Sequence, residues 1–391
     1  MRTVVALALA GLAVLGARPS ASRAAAAEAL EGWMLGPFAR HPAPVLAPRE
    51  DAVFRCPVRN ADVRWEAKDV FNPAAVVREG KVHLLYRAED DVGRSAGTSR
   101  IGLATSADGL AFERRPEPVL FPDDDFMLPY EWEGGCEDPR IVESEDGTYV
   151  MTYTAFDGTT ARLAVATSRD LVHWRKHGLA FGKAAGGRFR DLWSKSGAIV
   201  AALEASARLV AVRIEGKYWM YWGESDIFAA TSENLVDWTP VERADILVKK
   251  LTHLGAGRYR VETPGTRASF KVVVSTRHGR FDSGLVEPGP PPLVTPRGIL
   301  FLHNASNDRL NGDGALPDGA YAGGQVLLDP ADPTVVLARA TVPFFRPESA
   351  AETTGQTPNV TFLEGLVFFQ GRWLLYYGMA DSRVGVAEHR P

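Results

Sequence analysis

Cysteine is nearly missing from this chain: Cys56 and Cys136 stand alone among 391 residues, which excludes the disulfide framework on which small exported domains rely. A single bridge between the two stays open. Histidine is sparse as well, with eight dispersed copies and no paired Cys or His spacing, so no metal site is expected. Positive charge is not in excess either. A formal net charge of -4 supplies no field for a phosphate backbone, which excludes nucleic acid as a partner. No nucleotide-binding glycine loop is present, and no cofactor is expected. Sustained 3.6-residue apolar periodicity is also lacking, so helices should be few and short.

Apolar runs long enough to cross a bilayer are missing too. The run from Val4 to Gly16 is shorter than the ~20 residues a spanning helix needs. It follows Met1-Arg2-Thr3 and leads into small residues through Ala27, the order of a secretory leader. Residues 1–27 are therefore expected to be a signal peptide, the mature protein to be secreted or periplasmic, and no membrane insertion to follow.

Turn formers, by contrast, are plentiful. With 37 Gly, 26 Pro and 46% hydrophobic residues, the chain can fill a large core and still turn often. One hairpin signal recurs: Gly80-Lys81 before Val82 to Tyr86, Asp146-Gly147 before Thr148 to Tyr153, Glu215-Gly216 before Lys217 to Trp222, Arg297-Gly298 before Ile299 to His303, and Gln370-Gly371 before Arg372 to Tyr377. Each segment has the β-branched and aromatic character of a strand. Three copies carry a further echo in Asp108-Gly109-Leu110, Asp170-Leu171-Val172 and Asn234-Leu235-Val236. The copies recur at intervals of about 65 to 80 residues, enough for a four-stranded sheet with long loops. Five such units predict an all-β, five-bladed β-propeller occupying residues 28–391 as one domain. A two-sheet sandwich is the rival, and it does not account for near-equal repeats.

In a propeller, chemistry belongs where the inner strands converge. The densest polar run is Trp132-Glu133-Gly134-Gly135-Cys136-Glu137-Asp138-Pro139-Arg140. Its glycines allow close backbone approach, Pro139 biases Asp138 toward an extended conformation, and Arg140 can hold a carboxylate. Taken bare, the run is an acidic turn ending in a salt bridge. Cys136 is expected beside the cavity, two residues from Asp138. Glu224 follows the third repeat strand and Glu287 precedes the rigid turn Pro288-Gly289-Pro290-Pro291. Either glutamate alone would be an ordinary solvated loop residue.

Six segments alter that reading: Asn72-Pro73-Ala74, Leu84-Leu85-Tyr86-Arg87-Ala88-Glu89-Asp90, Ser99-Arg100-Ile101-Gly102-Leu103-Ala104, Gly135-Cys136-Glu137-Asp138-Pro139-Arg140, Glu287-Pro288-Gly289-Pro290-Pro291 and Tyr376-Tyr377-Gly378-Met379-Ala380-Asp381. In content and order they resemble glycoside hydrolase family 130, across residues 70 to 390. The resemblance implies a five-bladed propeller that acts on β-mannosides with inversion, by phosphorolysis or hydrolysis. It implies Asp138 as general acid, and Asn72, Arg87, Asp90, Arg100 and Asp381 around the mannosyl unit. The alternative for Arg87 and Arg100 is ion pairing with Glu89 or Asp90 between blades.

The nucleophile separates the two activities. A phosphorylase binds an inorganic dianion and needs clustered cations; family phosphorylases resemble one another in a His-Arg pair after the third repeat strand and a His after the fourth. This chain departs there, with Tyr221-Trp222-Gly223-Glu224 at the first place and His303-Asn304 at the second. Inverting hydrolysis needs a second carboxylate as base, and Glu224 and Glu287 are its candidates. Lys195 is a retained cation that keeps phosphorolysis open, and Asn304 is a candidate substrate contact. The expected function is thus an inverting hydrolase of β-linked mannosides, with a β-mannoside oligosaccharide or glycan as its partner. The alternative of another class is a non-catalytic glycan binder using Trp132, Trp193, Trp219 and Trp222 as stacking platforms.

Overall fold

The computed structural model describes residues 32–93, 97–243, 250–253, 259–262 and 270–391; the expected signal peptide at 1–27 lies outside them. All five recurring segments are strands: Lys81–Glu89, Tyr149–Phe156, Lys217–Trp222, Gly298–Ser306 and Arg372–Met379. Three of them are entered through two-residue hairpin turns, Glu79-Gly80, Glu215-Gly216 and Gln370-Gly371, in which both residues have positive φ. That geometry matches the twist of antiparallel strands and explains the repeated glycine.

Each of these strands is the second of an antiparallel array. Asp69–Arg78 and Ser99–Ser106 flank the first, Gly135–Glu143 and Ala161–Ser168 the second, and Thr361–Phe369 and Arg383–His389 the last. The third array is more broken, with Ala198–Ile199 and Arg213–Ile214 on one side and Ile227–Ser232 on the other. In the fourth, Leu285–Pro288 and Leu293–Thr295 precede and Tyr321–Leu328 follows. A short outer strand completes each array: Glu113–Arg114, Arg175–Leu179, Trp238–Pro240, Val336–Arg339 and, from the chain's other end, Ala39–Arg40. The last pairing joins the start of the described chain to Arg383–His389.

The sequence echo after the third strands is one turn built three times. Ser106 Oγ accepts from the amides of Asp108 and Gly109, and Asp108 Oδ1 accepts from those of Leu110 and Ala111. Ser168 with Asp170 and Ser232 with Asn234 repeat these bonds, the local side-chain capping that favours Ser, Asp and Asn in turns. The fold is nearly all β: the described helices are Leu128–Glu131, Ala350–Thr353 and a 3-10 turn at Ala184–Gly187. No described helix is long and apolar enough to cross a membrane.

The first strands of the arrays pack beside one another, Thr361–Phe369 against Asp69–Arg78 and the latter against Gly135–Glu143. On three of them the ladder register breaks at a polar residue: between Phe71 and Pro73, between Glu137 and Arg140, and between Leu363 and Gly365. Such bulges re-aim a side chain that the two-residue alternation would otherwise send elsewhere. The re-aimed residues are Asn72, Asp138 and Glu364, with left-handed φ values of 45° at Asn72 and 47° at Asp138, so the bulge overrides the extended conformation expected of Asp138 ahead of Pro139. Cys136 lies ahead of the break, and its thiol packs in the core with Ile101, Tyr153 and Ala155. The expectation that it borders the cavity is corrected by that alternation: Glu137 points the other way. Cys56 and Cys136 are both buried free thiols.

Candidate active site

Asp138 is 4% exposed, and its carboxylate is gripped from two sides. Asn72 Nδ2 donates to Asp138 Oδ1 at 2.9 Å and Arg87 Nη1 at 3.2 Å. Gly378 makes room for the first bond, since a Cβ there would stand 2.3 Å from Asn72 Oδ1. Arg87 also donates to Glu89 at 2.7 Å, to Glu137 at 3.0 Å and to Ser99 Oγ at 3.0 Å. One guanidinium therefore neutralises parts of three carboxylates. Burial raises the Asp138 pKa, but Arg87, then Lys195 and the Asn72 bond, bring it down to about 2. Burial pushes its neighbour Glu137 up to about 7 despite Arg87. The two titrate as a pair that keeps one proton until about pH 7. A cavity of about 380 Å³ opens onto Arg87, Glu89 and Glu137, with Trp132, Phe156 and Asp157 on its wall.

The second group of carboxyls is assembled by the segment Trp193–Ser196. Trp193 Nε1 donates to Glu224 Oε2 at 3.1 Å and Ser196 Oγ donates to Glu287 Oε2 at 2.8 Å. Between them, Lys195 O accepts from Gly223 N at 2.9 Å, and Val286 N donates to Ser225 O at 3.2 Å. Three bonds thus knit the two glutamate segments to one short stretch, and the fourth joins those segments to each other. The Lys195 ammonium acts on Asp138, Glu287, Glu137 and Glu224 together, and despite burial their charge raises its pKa. Glu287 is 3% exposed; burial raises it to about 7, with Lys195 and the Ser196 bond opposing and Glu224 adding to the rise. Tyr321 lies within hydrogen-bonding reach of Glu287.

Asn72, Arg87, Asp138, Lys195, Glu224 and Glu287 are thus one constellation, and Asp381 joins it. Burial raises Asp381 to about 6, with Thr357 bonding to it and Arg87, Asp138 and Glu89 nearby. Arg100 and Asp90 are both 0% exposed and paired to each other at 2.7 Å. Asp90 further accepts from the amides of Val92 and Thr98, so this pair ties those two residues together beside the site. Asn304 is likewise wholly buried, bonded to Leu363 through its O and N atoms. His303, next to it, is buried against Phe281 and held neutral, its pKa lowered by burial to about 3. Among the tryptophans, Trp193 is 49% exposed while Trp222 is core. Tyr221 is also core, its hydroxyl donating to Pro333 O.

Sequence reasoning missed Glu137 and Glu364 as members of the site, and Trp193 and Ser196 as holders of the glutamates. A signal existed for Glu364: it is a lone acid inside the apolar strand Thr361–Phe369, where a charge needs a partner. Nothing local marked Ser196.

The family model described as beta-1,4-mannooligosaccharide phosphorylase matches residues 39–390. A 1,2-beta-oligomannan phosphorylase of Thermoanaerobacter sp. (strain X514) is 30% identical over 335 residues, covering 84% of this chain and 92% of that protein. The crystal structure of a glycosyl hydrolase from Bacteroides ovatus is 44% identical, superposes with a TM-score of 0.84 and covers 93% of this chain and 96% of its own. Another solved structure, described with the finding that the GH130 family of mannoside phosphorylases contains glycoside hydrolases that target beta-1,2 mannosidic linkages in Candida mannan, is 44% identical with a TM-score of 0.83. With its six motifs, its cavity carboxyls and a family match over nearly all the described residues, the chain belongs to glycoside hydrolase family 130.

Proposed function

We propose that this protein is an inverting hydrolase of β-1,2-linked mannosides, with Asp138 as general acid and a glutamate, Glu287 or Glu224, as the base that activates water. The observation that carries the reading is the Trp193–Ser196 segment, which binds both glutamates by hydrogen bonds while its one ammonium is matched against four carboxyls. Excess negative charge there disfavours a phosphate dianion and favours loss of a proton from water.

In this reading Asp138 delivers the proton that it shares with Glu137 to the glycosidic oxygen as the bond to the anomeric carbon breaks. The glutamate takes a proton from the water attacking from the opposite face and then releases it to solvent, while the acid regains one from solvent. Asp138 is ionised in the free cavity, so the proton available to the leaving group is the one that the Glu137–Asp138 pair holds as a unit. The linkage rests on relatives whose names specify β-1,2-mannosides.

The five arrays are proposed to be the blades of one five-bladed propeller over residues 28–391, supported by the equivalent second strands and by Ala39–Arg40 completing the last array. Export behind the 1–27 leader is proposed on the sequence pattern alone. Phosphorolysis is the second reading, favoured by Lys195 and by the names of the Thermoanaerobacter relatives. Proton NMR of the first-formed sugar tests the proposal: phosphate-free cleavage of β-1,2-mannobiose should release α-mannose first. Initial β-mannose, or no cleavage without phosphate, would sink it.

A further inference from the structure

Arg140 is 2% exposed, and its guanidinium bonds to the backbones of both catalytic segments. Nη1 donates to the carbonyl of Asp138 at 3.3 Å, Nε to the carbonyl of Gly289 at 2.9 Å, and Nη2 to the carbonyl of Pro288 at 2.7 Å. The last two carbonyls follow Glu287 directly in the chain. On its remaining side Nη1 stands 3.0 Å from Glu364 Oε1. Glu364 is 0% exposed, projects from the third of the strand bulges, and its carboxyl oxygens have no hydrogen bond of good geometry beyond that charge contact. Asn304 closes the circuit, donating to Leu363 O at 2.9 Å and Pro288 O at 3.4 Å while accepting from Leu363 N at 2.7 Å.

We infer that Arg140, with Glu364 as its charge partner, is a positioning pair that sets the acid and base segments at their working separation. The inference rests on the assignment of Asp138 and Glu287 given above. A planar guanidinium spanning three carbonyls in fixed directions is a rigid spacer. Its charge, buried away from water, needs a counter-ion at the same depth. Glu364 supplies that counter-ion from a different strand, so the spacer is locked by three chain segments at once. All of the bonds of Arg140 go to the protein, and their effect is on where Asp138 and Glu287 stand.

The test separates positioning from plain stability. In Arg140→Met/Glu364→Met both charges are removed together, so no unpaired ion is left in the interior and folding should persist. Arg140→Lys keeps the charge but cannot span the three carbonyls. Steady-state kinetics on β-1,2-mannobiose, with melting curves as control, should give kcat lowered about 10²-fold in each, with KM within about threefold, the signature of misplaced groups rather than lost binding. Retention of kcat within about threefold by either folded variant would overturn the inference, as would a loss carried in KM. If the wild-type enzyme proves to need phosphate, the hydrolytic reading fails while the kcat-against-KM comparison, run with phosphate, still decides the role of Arg140. Should Glu287→Gln remain active, the base assignment falls, and a kcat loss at Arg140 would then report on Asp138 alone.

Discussion

Asp138 sits within a strand and meets Asn72 and Arg87 where that strand bulges, whereas Glu224 and Glu287 lie at strand ends and are held by side chains from a third segment. The proposed acid side is preorganised by covalent neighbourhood: Glu137, Asp138 and Arg140 lie within four consecutive residues, and Asn72 and Arg87 come from the preceding array. The proposed base side is assembled over long range, Ser196 and Glu287 being 91 positions apart in the chain. The acid is buried among fixed partners, while Glu224 is partly exposed and its partner Trp193 is half-exposed. On the proposed roles, the difference teaches that proton donation is built into one motif, and choice of nucleophile is left to surroundings that can change independently.

If the acid side is as specialised as this, the largest effect belongs to Asp138→Asn. Turnover of β-1,2-mannobiose should fall by about 10² to 10⁴, the range of general acid catalysis, with KM changed little. A mannoside carrying an activated leaving group should suffer much less, since it needs no proton; equal loss on both substrates would break the assignment.

On the base side, comparison of Glu287→Gln with Glu224→Gln should assign the base, the loss of which costs about 10²-fold or more. The pH profile sharpens the same point. The base must be ionised, so with Glu287 in that role activity should fall below about pH 7; the proton of the Glu137–Asp138 pair should be lost above about pH 7. A narrow bell is expected, and an acid limb far below 7 would exclude Glu287.

Ser196→Ala is a smaller perturbation. It deletes a bond that lowers the Glu287 pKa, so the acid limb should move to higher pH, with rate lowered about tenfold at its optimum. An unmoved limb would detach Ser196 from the base.

Legibility followed the same division. The hairpins could be read because their turns demand glycine at positive φ and their strands are aromatic, and the acid because its motif is contiguous. The third array was harder, since its first strand is broken into Ala198–Ile199 and Arg213–Ile214. Bulges were invisible in the sequence, which is why Cys136 was expected on the cavity side and Glu364 was not. Asn304 stood in a telling place by motif, yet its bonds bind Leu363 and Pro288 together, a role that depends on a strand some sixty residues away in the chain.

The smallest expected effect is on stability. Burial lifts Glu287 from its ordinary value of 4.5 to about 7, so the stability contributed by its protonated form is full below about pH 4.5 and is lost as pH rises through about 7. Glu287→Gln should therefore stabilise the fold at about pH 8 by about 1–3 kcal/mol and leave it nearly unchanged at about pH 4. A melting curve at each pH checks this, and a destabilised variant at the higher pH would contradict the account of that burial.

The most direct test of the central claim is the product partition from β-1,2-mannobiose as inorganic phosphate is titrated in. Free mannose should form without phosphate, at a rate that phosphate does not raise, because in the proposed reading Glu224 and Glu287 flank the nucleophile and their negative charge repels a dianion. Mannose 1-phosphate as the main product, rising with phosphate, would contradict it.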